Sequence, residues 1–313
     1  MMRTMQLGAS GVEVSALCLG TMYMGTKTDE ATSFALLDRY VEAGGTFLDT
    51  ANIYAHWAGG RGGDSERLLG RWMKARGNRD GLFIASKVGF AYGDVPISLA
   101  PRLVAQECEK SLRNLGVETI DLYYTHKDDL DTPQADTMGA FARLVEAGKV
   151  RLLGASNFPA WRLAEAAGVC EAAGLGAYCC IQQRHSYVRP KAGADFGRQV
   201  AANADLLDYC RLRNVTLLAY SPLLKGAYSR PDRDFGPQYA GADSDARLAA
   251  LRDVAAARGA TVNQVVLAWL LAGEPAVIPV FSASSMAQLD EDLGALDVEL
   301  GAQEMGRLNS AGA

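Results

Sequence analysis

Short apolar runs alternate along the chain with longer stretches whose apolar residues recur every three to four positions. The short runs predict strands and the long stretches amphipathic helices. Residues 4–8 and 11–14 flank Ala9-Ser10-Gly11 and read as a small hairpin ahead of the main body. The run from Ser15 to Thr21 is a strand ending in Gly-Thr. A helix over 28–43 follows, with Thr28 as N-cap, Phe34, Leu37 and Val41 on one face, and Gly44 as its stop. Phe47-Leu48-Asp49 is extended, so Phe47 and Asp49 share a face and Leu48 points to the other. The alternation then continues. Strands at 82–87, 120–126, 150–157, 177–183, 215–223 and 276–281 are separated by helices at 64–76, 133–147, 160–173, 203–213, 244–258 and 261–272. A further helix is capped by Ser98, striped by Val104, Cys108, Leu112 and Leu115, and closed by Gly116. Two more, at 284–294 and 299–309, end the chain. Trp161 and Trp269 fall within helical patterns and read as core residues.

Eight strand-like runs follow the hairpin, each nearly all apolar and each succeeded by a helical pattern. That repetition means an α/β protein with a parallel sheet covered on its outer face. A closed (β/α)8 barrel with an N-terminal β-hairpin and extra C-terminal helices is the expected fold, a single domain over residues 1–313. The rival, a doubly wound sheet, needs GxGxxG after an early strand, and Leu19-Gly20-Thr21-Met22-Tyr23-Met24-Gly25 does not supply it. Stretches 187–203 and 226–243, rich in Gly, Pro and charge, read as long loops on one end of the barrel.

Composition narrows the function classes. The net charge is −5, with no run of Lys or Arg, which argues against nucleic acid or a membrane surface as partner. Apolar runs are strand-sized, and the N-terminus lacks the apolar core of a secretory signal, so a cytoplasmic location is expected. Six cysteines, at 18, 108, 170, 179, 180 and 210, form no CxxC pair and read as reduced core thiols. The three histidines, His56, His126 and His185, lack metal-ligand spacing, so no metal is expected and a barrel metal hydrolase is disfavoured. Gly59 to Gly63 is not followed by GK[ST] and reads as a flexible turn. Nothing in the sequence constrains the oligomeric state.

The chemistry gathers where the strands end: Asp49, Lys87, His126, Ser156-Asn157, Gln182 and Tyr220-Ser221. A barrel brings such ends around one pocket mouth. Lys87, on the strand beside that of Asp49, is the natural partner for its charge, and Tyr54 can fold back over the pair. An ammonium near a phenol favours the phenolate, which predicts a lowered Tyr54 pKa and a better proton donor. Neutral His126 can donate a hydrogen bond to a carbonyl oxygen and polarise it. His56, Trp57, Tyr54 and His126 are expected to line the substrate pocket, while His185 and Tyr187 are divided between pocket wall and packing. Lys127-Asp128-Asp129, Arg184 and Arg189 suggest a polar, sugar-like carbonyl.

The chain resembles the aldo-keto reductase superfamily. The pieces that carry the resemblance are Leu19-Gly20-Thr21, Phe47-Leu48-Asp49-Thr50-Ala51 with Tyr54, Ser86-Lys87, Tyr123-Tyr124-Thr125-His126, Gly154-Ala155-Ser156-Asn157-Phe158, Ile181-Gln182, Ala219-Tyr220-Ser221-Pro222-Leu223 and Gln288-Leu289. The resemblance implies an NAD(P)H-dependent reduction of an aldehyde or ketone on the tetrad Asp49, Tyr54, Lys87 and His126. It further implies cofactor contacts from Gly20, Thr21, Asp49, Ser156, Asn157 and Gln182. Tyr220 would stack on the nicotinamide, and Ser221, Leu223, Lys225 and Gly226 would cross the pyrophosphate. Ser284, Gln288, Glu291 and Asp292 would line the adenosine end. One departure bears on the cofactor. Family members often carry Gly at the position of Ser282 and a basic residue or Asn near Ser285, whereas this chain reads Ser282-Ala283-Ser284-Ser285. NADPH with appreciable NADH use is therefore the expectation. The alternative function is a nucleotide-binding, redox-sensing or regulatory subunit on the same barrel.

Overall fold

In the computed structural model, which describes residues 2–312, a hairpin of β1 (Thr4–Gln6) and β2 (Glu13–Ser15) precedes a closed eight-stranded parallel barrel. The barrel strands are β3 (Cys18–Gly20), β4 (Phe47–Asp49), β5 (Phe83–Val88), β6 (Ile120–Thr125), β7 (Val150–Ser156), β8 (Cys180–Arg184), β9 (Thr216–Tyr220) and β10 (Ile278–Phe281). Each pairs with its neighbour in sequence, and β10 closes on β3. This is the (β/α)8 barrel expected from the alternation.

Strand side chains divide between two cores. Cys18, Phe47, Phe83, Leu122 and Tyr124 fill the barrel interior together with Leu7 and Val14 from the hairpin. Leu19, Leu48, Ile84 and Tyr123 pack outward against the helices. The period of two that separated Phe47 from Leu48 therefore sets inside from outside. Helices α1 (Glu30–Glu42), α2 (Asp64–Arg76), α3 (Pro101–Leu115), α4 (Gln134–Glu146), α5 (Ala160–Ala173), α6 (Ala204–Arg213), α7 (Ala242–Arg258), α8 (Val262–Leu271), α9 (Met286–Leu293) and α10 (Ala302–Ser310) surround the strands. No single helix among the described residues is long and apolar enough to cross a membrane.

Three expectations change. α1 is capped by Asp29 rather than Thr28, because the Asp29 carboxylate accepts from Thr32 N at 2.9 Å. α3 starts at Pro101, not near Ser98, since proline suits the first helical position and Ser98 Oγ instead accepts from Ala100 N at 3.0 Å. Trp161 is 62% exposed: the buried stripe of α5 runs through Leu163, Ala166 and Cys170, and Trp161 lies off it beneath the Arg162 guanidinium. Trp269 is partly buried, its indole N–H on Asn309 at 2.7 Å. His185 and Tyr187 resolve as packing, their rings 5.9 and 5.2 Å from that of Trp269.

Candidate active site

Register decides which side chains meet at the C-terminal end of the barrel. Asp49 pairs with Gly20 on one side and Ala85 on the other, and Lys87 lies two residues beyond Ala85 on the same face. Both point inward and are fully buried. Lys87 Nζ is 2.5 Å from Asp49 Oδ1, 2.9 Å from Thr50 O and 2.6 Å from the Tyr54 hydroxyl. An ammonium has three protons, and here each has an acceptor. The Tyr54 hydroxyl donates to Asp49 Oδ1 at 3.0 Å, and Gln182 Nε2 donates to Asp49 Oδ2 at 2.7 Å. A buried ion pair is tolerated only when its remaining valences are filled in this way.

His126, just past β6, stands over the pair. Its ring centroid is 5.9 Å from that of Tyr54 and 4.7 Å from that of Phe90, both edge-on. Nδ1 is buried with no hydrogen-bond partner among the described residues. Burial, then Lys87, holds the imidazole pKa well below its usual value, so the ring is neutral near pH 7. Burial also lowers the Lys87 pKa, against the opposing pull of Asp49. The expected lowering of the Tyr54 pKa is overturned. Burial and, after it, the Asp49 carboxylate push the phenol well above its usual value, because desolvating a phenolate outweighs the nearby ammonium. The phenol therefore holds its proton.

Above these residues opens a cavity of about 1200 Å³. Its floor holds Gly20, Asp49, Tyr54, His126, Ser156, Asn157 and Gln182, and Tyr220 stands on its wall. The Tyr220 hydroxyl donates to Asn157 Oδ1 at 2.8 Å, while Asn157 Nδ2 donates to His126 O at 2.9 Å and Ser156 Oγ at 3.1 Å. Asn157 adopts φ +57°, which asparagine tolerates better than most residues. Ser221, Leu223, Lys225 and Gly226 continue the wall, and Ser284, Gln288, Glu291 and Asp292 line the far end. Ser284 N and Oγ both donate to Gln288 Oε1 at 2.9 Å. Two expected residues do not reach the cavity. The Thr21 hydroxyl is buried behind Asp49, bonded to Asp49 O at 3.0 Å and to Ser65 Oγ at 2.7 Å, so it supports the strand end. His56 faces away, its Nε2 accepting from Gly93 N at 3.3 Å and its ring 6.0 Å from that of Tyr92. The left-handed Ala55 turns the chain between Tyr54 and Trp57 (φ +64°) and brings Trp57 alone back to the lip.

Of the polar residues from which the sequence suggests a polar pocket, Arg184 lines the cavity, whereas the acids after His126 and Arg189 do not. Asp128 pairs with Arg162, Asp129 accepts from Leu99 N and Thr132, and Arg189 pairs with Asp243, none of them at the cavity. The same cavity holds Tyr23, Phe90 and Trp57, the last 52% exposed and edge-on to the Tyr23 and Tyr54 rings at 6.5 and 6.4 Å. Phe90 had a readable signal, an aromatic two residues beyond a strand end. Tyr23, Arg233 and Asn263 lie in irregular segments or on a helix face and carry none.

The residues present suit a nicotinamide dinucleotide. Amide and hydroxyl side chains sit on the floor beside the proton-bearing tetrad, and an aromatic ring stands next to them. The loop beyond has Ser221, Leu224, Lys225 and Gly226 all at positive φ, and Lys225 in it and Arg230 and Arg233 after it are cations on the cavity. The sequence profile of the Aldo/keto reductase family matches residues 16–313. Norsolorinic acid reductase of Emericella nidulans is 34% identical over 95% of this chain and 78% of its own length. An aldo-keto reductase of Schizosaccharomyces pombe named for NADP(+) is 30% identical over 90% of this chain and 83% of its own. A crystal structure of a thermostable aldo-keto reductase with the inhibitor epalrestat superposes with TM-score 0.78 at 29% identity, covering 99% of both chains. On the barrel, the buried tetrad and these matches together, the chain belongs to the aldo/keto reductase family of oxidoreductases.

Proposed function

We propose that this chain reduces an aldehyde or ketone to the alcohol, with Tyr54 giving the proton to the carbonyl oxygen and His126 polarising it. NAD(P)H, when bound, supplies the hydride. The observation that carries the reading is Lys87, a buried ammonium whose protons are all committed, one of them to the Tyr54 hydroxyl at 2.6 Å. A protein that only bound nucleotide would have no use for a phenol held this way beneath a neutral imidazole. As the carbonyl oxygen gains negative charge, Tyr54 passes it a proton, and the phenolate left behind is stabilised by Lys87. Asp49 holds Lys87 in place and balances its charge.

Ser156, Asn157 and Gln182 would hold the carboxamide, with Tyr220 stacked on the ring. Ser221, Leu223, Lys225 and Gly226 would carry the pyrophosphate. Ser284, Gln288, Glu291 and Asp292 would line the adenosine end, where Lys225, Arg230 and Arg233 offer charge for a 2′-phosphate. Arg230 and Arg233 already share Asp232, so that charge is partly spent. NADPH preference with measurable NADH use follows. An aryl carbonyl fits the cavity best, because Tyr23, Trp57 and Phe90 ring the tetrad and a flat aromatic stacks on such faces, while Arg184 on the same wall supports a polar, sugar-like carbonyl as the second substrate class.

The test is loss of NADPH absorbance with a panel holding aryl aldehydes, aryl ketones and open-chain sugars. Aryl compounds are expected to turn over fastest. Tyr54→Phe should lower kcat by about 10²–10⁴-fold with cofactor affinity unchanged. A wild type that binds cofactor and reduces nothing, or a Tyr54→Phe enzyme at full rate, sinks the reading.

A further inference from the structure

Behind the barrel wall lies a second buried polar cluster that the reduction does not use. Glu107, on α3, is buried, and its Oε2 accepts from Asn52 Nδ2 at 2.7 Å and from the Tyr92 hydroxyl. Lys110, one helical turn along, donates to the same hydroxyl at 2.7 Å and stands 3.8 Å from Glu107 Oε1. None of these four side chains touches the cavity.

Their places in the chain tie them to it nonetheless. Asn52 lies two residues before Tyr54, and Tyr92 lies two residues after Phe90. Tyr92 belongs to one buried apolar cluster with Ala51, Ile53 and Tyr54, and its ring crosses over Gly62, where a Cβ would stand 2.4 Å from the ring. Gly62 also sits at φ +82°, so that position admits no side chain. Asn52 O accepts from Gly63 N at 2.6 Å, closing the loop that carries Tyr54 and Trp57. Loops without regular pairing hold position only through such side-chain contacts. A buried carboxylate demands its donors, since desolvating it unpaired is costly. Here the donors come from two loops, and the acceptor from a rigid helix.

We propose that Glu107 is a positioning residue for the reduction. Through Asn52 it fixes the loop carrying Tyr54, and through Tyr92 the loop carrying Phe90. The proton donor and the aromatic facing it across His126 thereby keep their spacing. The proposal rests on the reductase reading above. Its effect is exerted on geometry, so it appears in kcat rather than in cofactor binding, and a misplacement near 1 Å is worth about 10²-fold in rate.

Glu107→Leu removes the shared acceptor, whereas Glu107→Gln keeps one oxygen able to accept from both Asn52 and Tyr92. The Leu enzyme is expected to lose about 10–10² in kcat toward an aryl aldehyde, with NADPH Kd by fluorescence unchanged. The Gln enzyme should recover to within a few-fold of wild type. Asn52→Ala and Tyr92→Phe should each lower kcat, and neither should lower it further in the Glu107→Leu background, because residues acting as one unit are not additive. Equal kcat in the Leu, Gln and wild-type enzymes overturns the proposal, even if the melting temperature falls. Should Glu107→Leu fail to fold, the Asn52→Ala and Tyr92→Phe enzymes decide: lowered kcat at unchanged Kd supports it, and wild-type kcat in both overturns it. A wild type inactive on every carbonyl is seen before any variant is made, and it overturns the reductase reading itself.

Discussion

Asp49 and Lys87 show how one buried contact is made affordable by its surroundings. Two charges out of water are a net cost unless every remaining valence is met. Gln182 takes the second carboxylate oxygen, and Thr50 O and Tyr54 take the other ammonium protons. Removing one partner leaves a full charge in an apolar interior, while removing both leaves a smaller polar debt. Asp49→Ala is therefore expected to cost about 3–5 kcal/mol by urea unfolding. The double variant Asp49→Leu with Lys87→Met should regain more than half of that loss, although both enzymes are inactive. A double variant no more stable than Asp49→Ala would mean that packing, not charge, dominates this spot. The same pair was readable in the sequence because an acid and a lysine ended neighbouring apolar strands. The direction of the Tyr54 pKa was not, since a sequence carries no measure of how completely a hydroxyl is desolvated.

At the scale of elements, regular periodicity transferred well and irregular chain did not. The expected helices 64–76 and 160–173 coincide with α2 (Asp64–Arg76) and α5 (Ala160–Ala173), because Gly77 and Gly174 adopt the left-handed cap that ends them. Asp49, Lys87 and His126 meet at one end because barrels gather strand ends. The Thr21 hydroxyl turns from the cavity to Asp49 O and Ser65, an orientation that Gly20-Thr21 as a sequence does not show. Glu107 was invisible, since a glutamate on an amphipathic helix usually faces water. α9 supplies a prediction at this scale. It carries Asp292 to the cavity's far end, where burial and then Glu291 raise its carboxyl to about 8. An acid raised this way keeps its proton in the folded state between about pH 3.9 and its folded value, while the unfolded chain has released it. Its cost to stability thus grows with pH through that window and levels off above about 8. Across the same upper boundary it gains a negative charge, opposing Lys225, Arg230 and Arg233 around the cavity. NADPH Kd should therefore weaken as pH rises past 8, by up to about tenfold per unit. Asp292→Asn should flatten that dependence; an unchanged slope in the variant would rule Asp292 out as its source.

The molecule as a whole separates stability from chemistry along the barrel axis. The candidate residues Asp49, Tyr54, Lys87 and His126 sit at the C-terminal end, whereas the hairpin closes the N-terminal end with Leu7 and Val14 in the interior core. Gly8 is the hinge of that plug. It sits at φ +52°, its N donates to Thr216 Oγ1 at 2.7 Å, and a Cβ there would lie 2.3 Å from Cys179 O and 2.6 Å from Asn214 O. Both obstacles are backbone carbonyls just ahead of β8 and β9, which cannot swing aside as a side chain can. A left-handed non-glycine residue alone costs about 1–3 kcal/mol, and the contact adds to it. Gly8→Ala should lower unfolding free energy by about 2 kcal/mol or more while leaving kcat at 25 °C within a factor of two, a prediction that combines thermal unfolding with steady-state kinetics. The reasoning is geometric. Displacing the hairpin opens the floor of the barrel, and the ion pair that holds Tyr54 is tied to β4 and β5 at the opposite end. A Gly8→Ala enzyme with unchanged stability would mean that the hairpin does not bear on the barrel. One with unchanged unfolding but depressed kcat would mean that strain at one end is transmitted through the interior core to the other.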